Sequence, residues 1–192
     1  IKCCRFAHNA YQKLFLKIYT ELISMIKVGI LGATGYAGIE VVRLLTAHPE
    51  AEIVRVVSQS FVGQKISDVY QNLKGICDLC CTALDVNDIA GSCDLVFTAL
   101  PHGASKTVIP SLYEKGLKIV DLSGDFRYND PAVYEKWYGE PHSAPEVLKE
   151  SVYGLCEIHR DEIKTHRLIG NPGCYTTCLL YTSPSPRDGL LS

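Results

Sequence analysis

The 192-residue sequence has one methionine, no internal repeat and no apolar run long enough to span a membrane. It also lacks a basic stripe. Nineteen Lys and Arg against 21 Asp and Glu leave a net charge of −2, which argues against a nucleic-acid partner. No secretory signal is visible, and the nine cysteines are not spaced as a disulfide framework, so a reduced, cytoplasmic setting is expected. Three of them cluster in Cys77-Asp78-Leu79-Cys80-Cys81, and Cys93 is the one nearby candidate for a further ligand. That is too little for zinc, and no metal is expected. Hydrophobic residues make up 47%, as in an ordinary globular protein, and the length suits one packed domain or one and a fraction.

Both ends break the pattern between them. Met25 stands immediately before the first apolar strand, so residues 1–24 read as a non-native extension or read-through. A transit peptide, suggested by Lys2, Arg5, Lys13 and Lys17 against Glu21 alone, is the second reading. From Tyr181-Thr182-Ser183-Pro184 onward the apolar pattern stops, and residues 178–192 read as a foreign tail. Residues 25–177 remain as the domain. The tail, with its prolines, is expected to end the last helix after Thr177.

Within that domain, Ile26 to Leu31 is a compact apolar run, as in a parallel strand covered on both faces. Gly32-Ala33-Thr34-Gly35-Tyr36-Ala37-Gly38 follows at once, and Glu40 to Leu45 then has apolar residues at helical spacing, closed by His48-Pro49. Strand, glycine turn and helix together form the context of a dinucleotide-binding loop. Gly32 would permit the tight turn, Gly35 the approach of a pyrophosphate and Gly38 close helix packing, with the phosphates on the helix N-terminus. The second strand, Ile53 to Val57, ends in Ser58-Gln59-Ser60. An NAD-selecting carboxylate is absent there, which favours NADP, with Ser58 and Ser60 as contacts.

Asp94 to Leu100 is a third buried strand, ending in Pro101-His102-Gly103. A helix interrupted by Pro110 is expected over residues 104–115, and Lys118 to Asp121 is a fourth strand. Arg167 to Gly170 is a short buried strand, stopped by Asn171-Pro172-Gly173. Cys174 then stands where a helix can begin. A thiol there faces free backbone N–H groups and the positive end of the helix dipole, which favour the reactive thiolate. Alternating strands and helices give an α/β class, a doubly wound parallel sheet of Rossmann type. Gly32, Ser58, Pro101, Ser123 and Cys174 all follow strand ends, so they are expected to meet in one crevice beyond the carboxyl edge.

Other residues have plainer expectations. Cys77, Cys80, Cys81, Cys93, Cys156 and Cys178 read as small buried hydrophobes. His142, His159 and His166 lie in polar stretches and read as surface residues, and His102 reads equally as a turn residue or a cofactor contact. Arg127 suits a substrate carboxylate or phosphate, or a pair with Asp125 or Asp130. Tyr70 and Lys74 fit a Tyr-x-x-x-Lys spacing that comes too early in the chain to be catalytic.

Five motifs carry a family likeness: the glycine loop, Ala99-Leu100-Pro101-His102-Gly103, Asp121-Leu122-Ser123-Gly124-Asp125-Phe126-Arg127, Tyr153-Gly154-Leu155-Cys156-Glu157 and Gly170-Asn171-Pro172-Gly173-Cys174-Tyr175. From about Met25 to Thr177 the chain resembles the N-acetyl-gamma-glutamyl-phosphate reductases, relatives of the aspartate-semialdehyde dehydrogenases. The resemblance implies that Cys174 is the nucleophile and that NADP binds at Gly32 to Gly38, Ser58, Ser60 and Leu100 to Gly103. It implies an acyl-phosphate substrate near Ser123, Arg127 and Asn171, and a homo-oligomeric whole protein. Gln59, Cys156 and Thr176 depart from the usual Arg, Pro and Pro. The family continues into a substrate and dimerisation domain that bears a catalytic His, and this sequence stops before it, so the chain alone is expected to be inactive. An aspartate-semialdehyde dehydrogenase relative, or an epimerase-like or non-catalytic nucleotide-binding module, is the alternative.

Overall fold

The computed structural model describes residues 25–183; the segments read as an extension (1–24) and as most of the tail (184–192) lie outside the described residues. Six strands form one parallel sheet: β1 (Ile26–Leu31), β2 (Ala51–Val57), β3 (Leu95–Thr98), β4 (Lys118–Asp121), β5 (Ser151–Tyr153) and β6 (Leu168–Gly170). Their spatial order is β2-β1-β3-β4-β6-β5, with every adjacent pair parallel. The chain runs outward from β1 to β2 and returns to lay β3 on the other side of β1, so a topological switch point lies between β1 and β3. All six carboxyl ends therefore share one edge.

The connecting helices are α1 (Tyr36–Leu45), α2 (Ile66–Val69), α3 (Val86–Ser92), α4 (Ser105–Glu114), α5 (Pro131–Tyr138), α6 (Pro145–Lys149), α7 (Cys156–Thr165) and α8 (Cys174–Thr182). Alternation along the strands feeds two cores. Val28, Ile30 and Val56 pack with Val42 of α1, while Leu31, Val96 and Ile119 pack with Ile89, Ile109 and Leu112 of α3 and α4. Removing a fully buried side chain such as Ile109 would cost about 2–5 kcal/mol.

Four expectations are corrected. Pro110 does not interrupt α4, which runs unbroken through it. The carbonyl that its missing N–H would have bonded, that of Lys106, accepts the Ser143 hydroxyl instead at 3.2 Å. α8 continues five residues past Thr177 and ends only at Ser183, next to Pro184. Strand β5 has no counterpart in the sequence reading. Of the cysteines expected inside, Cys77, Cys81 and Cys93 are buried, but Cys80, Cys156 and Cys178 are exposed.

Candidate active site along the carboxyl edge

The glycine loop closes the switch point. Gly32 has φ +77°, and a Cβ on it would lie 2.4 Å from the Ala99 carbonyl that follows β3. A Cβ on Gly38 would lie 2.1 Å from the Gly32 carbonyl, so α1 packs directly on the loop. Gly32 and Ala33 both donate their N–H to the Val57 carbonyl at 3.0 Å, tying the loop to the end of β2. Gly35 is different: a Cβ there would meet only the Gly32 carbonyl, at 3.4 Å. The fold itself does not demand a glycine at 35, and the space above it is open. Gly35 caps α1 with no side-chain hydrogen bond, which leaves the helix N-terminus available to an anion.

A crevice of about 500 Å³ opens here, lined by Gly32, Thr34, Gly35, Ser58, Gln59, Ser60, Leu100 and Pro101 among others. The sequence-predicted cofactor residues thus divide. All of these but Gln59 were predicted and line the crevice, whereas Ala33 and Gly38 are buried behind it and Tyr36 and Ala37 are exposed at the start of α1. The uncapped helix end, the open space above Gly35 and the crevice all suit a dinucleotide.

His102 and Gly103 turn instead toward a fully buried carboxylate, Asp125. His102 Nδ1 bonds Asp125 at 2.7 Å, and the N–H groups of Gly103 and Lys106 donate to it at 2.9 and 3.1 Å. Asp125 therefore fills the N-terminus of α4 from another loop, so that helix end is closed to a cofactor phosphate. Ser123 is likewise enclosed. Its hydroxyl donates to Asp121 at 2.6 Å and accepts the Asp125 N–H at 3.1 Å, which makes it a clasp of the turn. Thr98 completes this buried chain with a 2.7 Å bond to Asp121. The sequence reading missed Asp125 because its partners lie about 20 residues away.

Arg127 does not pair with Asp125 or Asp130, since Asp125 is occupied as described and Asp130 caps α5. Its Nε donates to the Asn171 carbonyl at 2.9 Å, and its guanidinium lies 3.2 Å from where a Cβ on Gly173 would stand. Gly173 caps α8 without any side-chain bond, and Cys174 opens that helix exposed. Asn171 braces the turn: its N–H donates to the Asp121 carbonyl at 2.7 Å and its amide to the Pro172 carbonyl at 3.1 Å. A second cavity of about 540 Å³ is lined by Arg127, Tyr128, Tyr138, Tyr153, Gly173, Tyr175 and Thr176. Its four tyrosines come from four separate segments, and only Tyr153 and Tyr175 stand in the motifs named above. Tyr138 stacks on His102 at 4.6 Å, so the Pro101-His102 turn separates the two cavities. Burial holds the Tyr138 hydroxyl above its ordinary range, opposed by the Arg127 charge, and pushes Tyr134 up to about 12.

His142 is not at the surface. It is buried between Phe126 and Tyr134, with ring centroids 4.9 and 4.8 Å away, and burial pulls it below the usual histidine range. His159 is partly covered and His166 exposed, both in α7 or at its end. Burial raises the Cys77, Cys81 and Cys93 thiols, making them poor nucleophiles.

The family model described as the semialdehyde dehydrogenase NAD binding domain matches residues 27–166. An N-acetyl-gamma-glutamyl-phosphate reductase of Acetivibrio thermocellus is 55% identical over 168 residues, 87% of this chain and 49% of that protein. One of Syntrophobacter fumaroxidans is 53% identical over 156 residues, 81% of this chain and 45% of its own length. The chain thus spans about half the length of these curated relatives. Among solved structures, an aspartate semialdehyde dehydrogenase with NADP from Candida albicans superposes with a TM-score of 0.60 at 21% identity. That match covers 82% of this chain and 45% of the other, and it shows a shared fold.

Proposed function

The chain belongs to the semialdehyde dehydrogenase NAD-binding-domain family, and from that premise we propose that it is the cofactor- and thiol-bearing half of an NADP-dependent N-acetyl-gamma-glutamyl-phosphate reductase of arginine biosynthesis. One observation carries the reading. Exposed Cys174 opens an uncapped helix beside Arg127, on the same sheet edge as the glycine crevice.

In this reading the Cys174 thiolate attacks the acyl carbon of the substrate, the C–O bond to phosphate breaks, and inorganic phosphate leaves with the bonding pair. The product on the protein is a thioester. The free N–H groups of α8 face the developing oxyanion, and the Arg127 guanidinium holds a substrate carboxylate or phosphate. When bound, the nicotinamide supplies the hydride that reduces the thioester. Gly32, Gly35 and the α1 N-terminus would hold its pyrophosphate, and Ser58, Gln59 and Ser60 the ribose end. The lack of a carboxylate among Ser58-Gln59-Ser60 supports NADP over NAD. His102 serves best as the wall between cofactor and substrate cavities.

The chain spans about half the length of these relatives, and on this proposal the proton-transferring groups belong to the other half. Loss of one such group typically costs about 10²–10⁴-fold. The experiment is phosphate-dependent NADP reduction with N-acetylglutamate semialdehyde, comparing this chain with one completed by a relative's second half. Calorimetry with NADPH and NADH accompanies it. The completed protein should be active and NADPH should bind more tightly. Activity with aspartate semialdehyde alone, or equal affinities for the two cofactors, would contradict the substrate or the cofactor assignment respectively.

A further inference from the structure

Tyr70 belongs to none of the motifs absorbed above, yet its hydroxyl donates to the Thr34 carbonyl at 2.7 Å. The residue is held firmly. Its own N–H bonds the Ile66 carbonyl, its carbonyl accepts the Leu73 N–H, and its half-buried ring packs on the core beneath α1. The carbonyl that it bonds belongs to the peptide between Thr34 and Gly35, and both of those residues line the glycine crevice.

That peptide needs a restraint. Gly35 has no side chain to resist rotation, and a Cβ there would find almost no neighbour. Turning the peptide over would break the 3.0 Å bond from the Gly35 N–H to the Gly32 carbonyl. It would also set the Thr34 carbonyl against the Gly32 carbonyl inside the turn, two acceptors facing each other. The Thr34 side chain is already fixed by a 2.7 Å bond to Ser58, so Tyr70 supplies the remaining anchor, on the backbone.

We propose that Tyr70 is a positioning residue for the cofactor's pyrophosphate: it holds the Thr34–Gly35 peptide, and with it the glycine turn at the α1 N-terminus, in one form, with the carbonyl on Tyr70 and the N–H bonded inside the loop. The inference rests on the cofactor reading above. Its physical basis is preorganisation, since a loop already in its binding form loses less freedom when the ligand arrives.

The test is calorimetry on the full chain and its Y70F variant with two probes, NADPH and adenosine 2′-monophosphate, which lacks the pyrophosphate. Loss of one hydrogen bond should weaken NADPH by about five-fold, while adenosine 2′-monophosphate binds unchanged. Thermal melting is read alongside, because Y70F keeps the ring and its packing. Equal weakening of both probes, with a lowered melting temperature, would make Tyr70 a stability residue only and overturn the proposal. Unchanged NADPH affinity would overturn it too. If the wild-type chain binds adenosine 2′-monophosphate and NADPH equally, or neither, the cofactor reading itself fails and this inference goes with it.

Discussion

Cys156 and Cys174 each open a helix directly after a strand, and the two strands lie side by side, with Tyr153 opposite Gly170. Both thiols are exposed, and neither helix has a side-chain cap. Their surroundings differ. β5 is the sheet edge, so α7 starts at the rim; the Cys156 thiol turns to the Gly154 carbonyl at 3.7 Å, and Glu157 occupies the first turn. β6 lies inside the sheet, against β4, which brings the loop carrying Arg127 beside Gly173, the residue before Cys174. A helix end favours a thiolate, but the neighbouring strand decides whether anything is there for the thiolate to act upon.

The largest expected effect is catalytic. In the completed protein, Cys174→Ser should lower the reduction rate by at least about 10³-fold, as loss of a covalent nucleophile does, whereas Cys156→Ser should leave it near wild type. The steady-state assay decides this, and comparable losses in both variants would erase the distinction between the two helices.

The strands beneath the helices can be compared in the same way. A Cβ on Gly170 would lie 2.0 Å from the Phe126 carbonyl oxygen and 2.9 Å from the Arg127 nitrogen, all backbone that cannot step aside. A Cβ on Gly154 would lie 2.6 Å from the Ile169 Cγ2, on a side chain that can rotate. Gly170→Ala should therefore cost about 3 kcal/mol or more, and Gly154→Ala about 1 kcal/mol, by urea denaturation. The inner strand's glycine is fixed by the loop that carries Arg127, so a small cost at Gly170 would loosen the link between the fold and the thiol.

A smaller effect isolates the charge. In the completed protein, Arg127→Gln should raise the KM for the anionic substrate by about ten-fold and leave Cys156 alkylation unaffected, because the guanidinium stands beside the Gly173 end of α8.

The sequence made the first half of this architecture readable, because strand, glycine turn and helix fall within 20 residues and each carries its own local signal. The Asn171-Pro172-Gly173 turn served Cys174 in the same way. What stayed hidden depends on contacts across the chain. β5 is three residues long, too short to show an alternation. Asp125 caps a helix that begins 20 residues earlier, and nothing near Asp125 announces it. His142 lies in a polar stretch but is enclosed by Phe126 and Tyr134, one before α5 and one within it. Pro110 had the local signal of a helix break, overridden when Ser143 satisfied the freed Lys106 carbonyl. Cys80, Cys156 and Cys178 show that composition assigns a cysteine to the interior only on average.

On the proposed function, Cys174 rather than Cys156 is the acyl-transfer thiol, and alkylation by iodoacetamide across pH, with mass-spectrometric mapping of each site, tests this proposal most directly. Cys174 should react at least about ten-fold faster than Cys156, with Cys77 and Cys93 slowest because burial raises their thiols. Alkylation of Cys156 at a rate equal to or above that of Cys174 would contradict the account, since the helix end alone would then explain the reactivity and the Arg127 cavity would explain nothing.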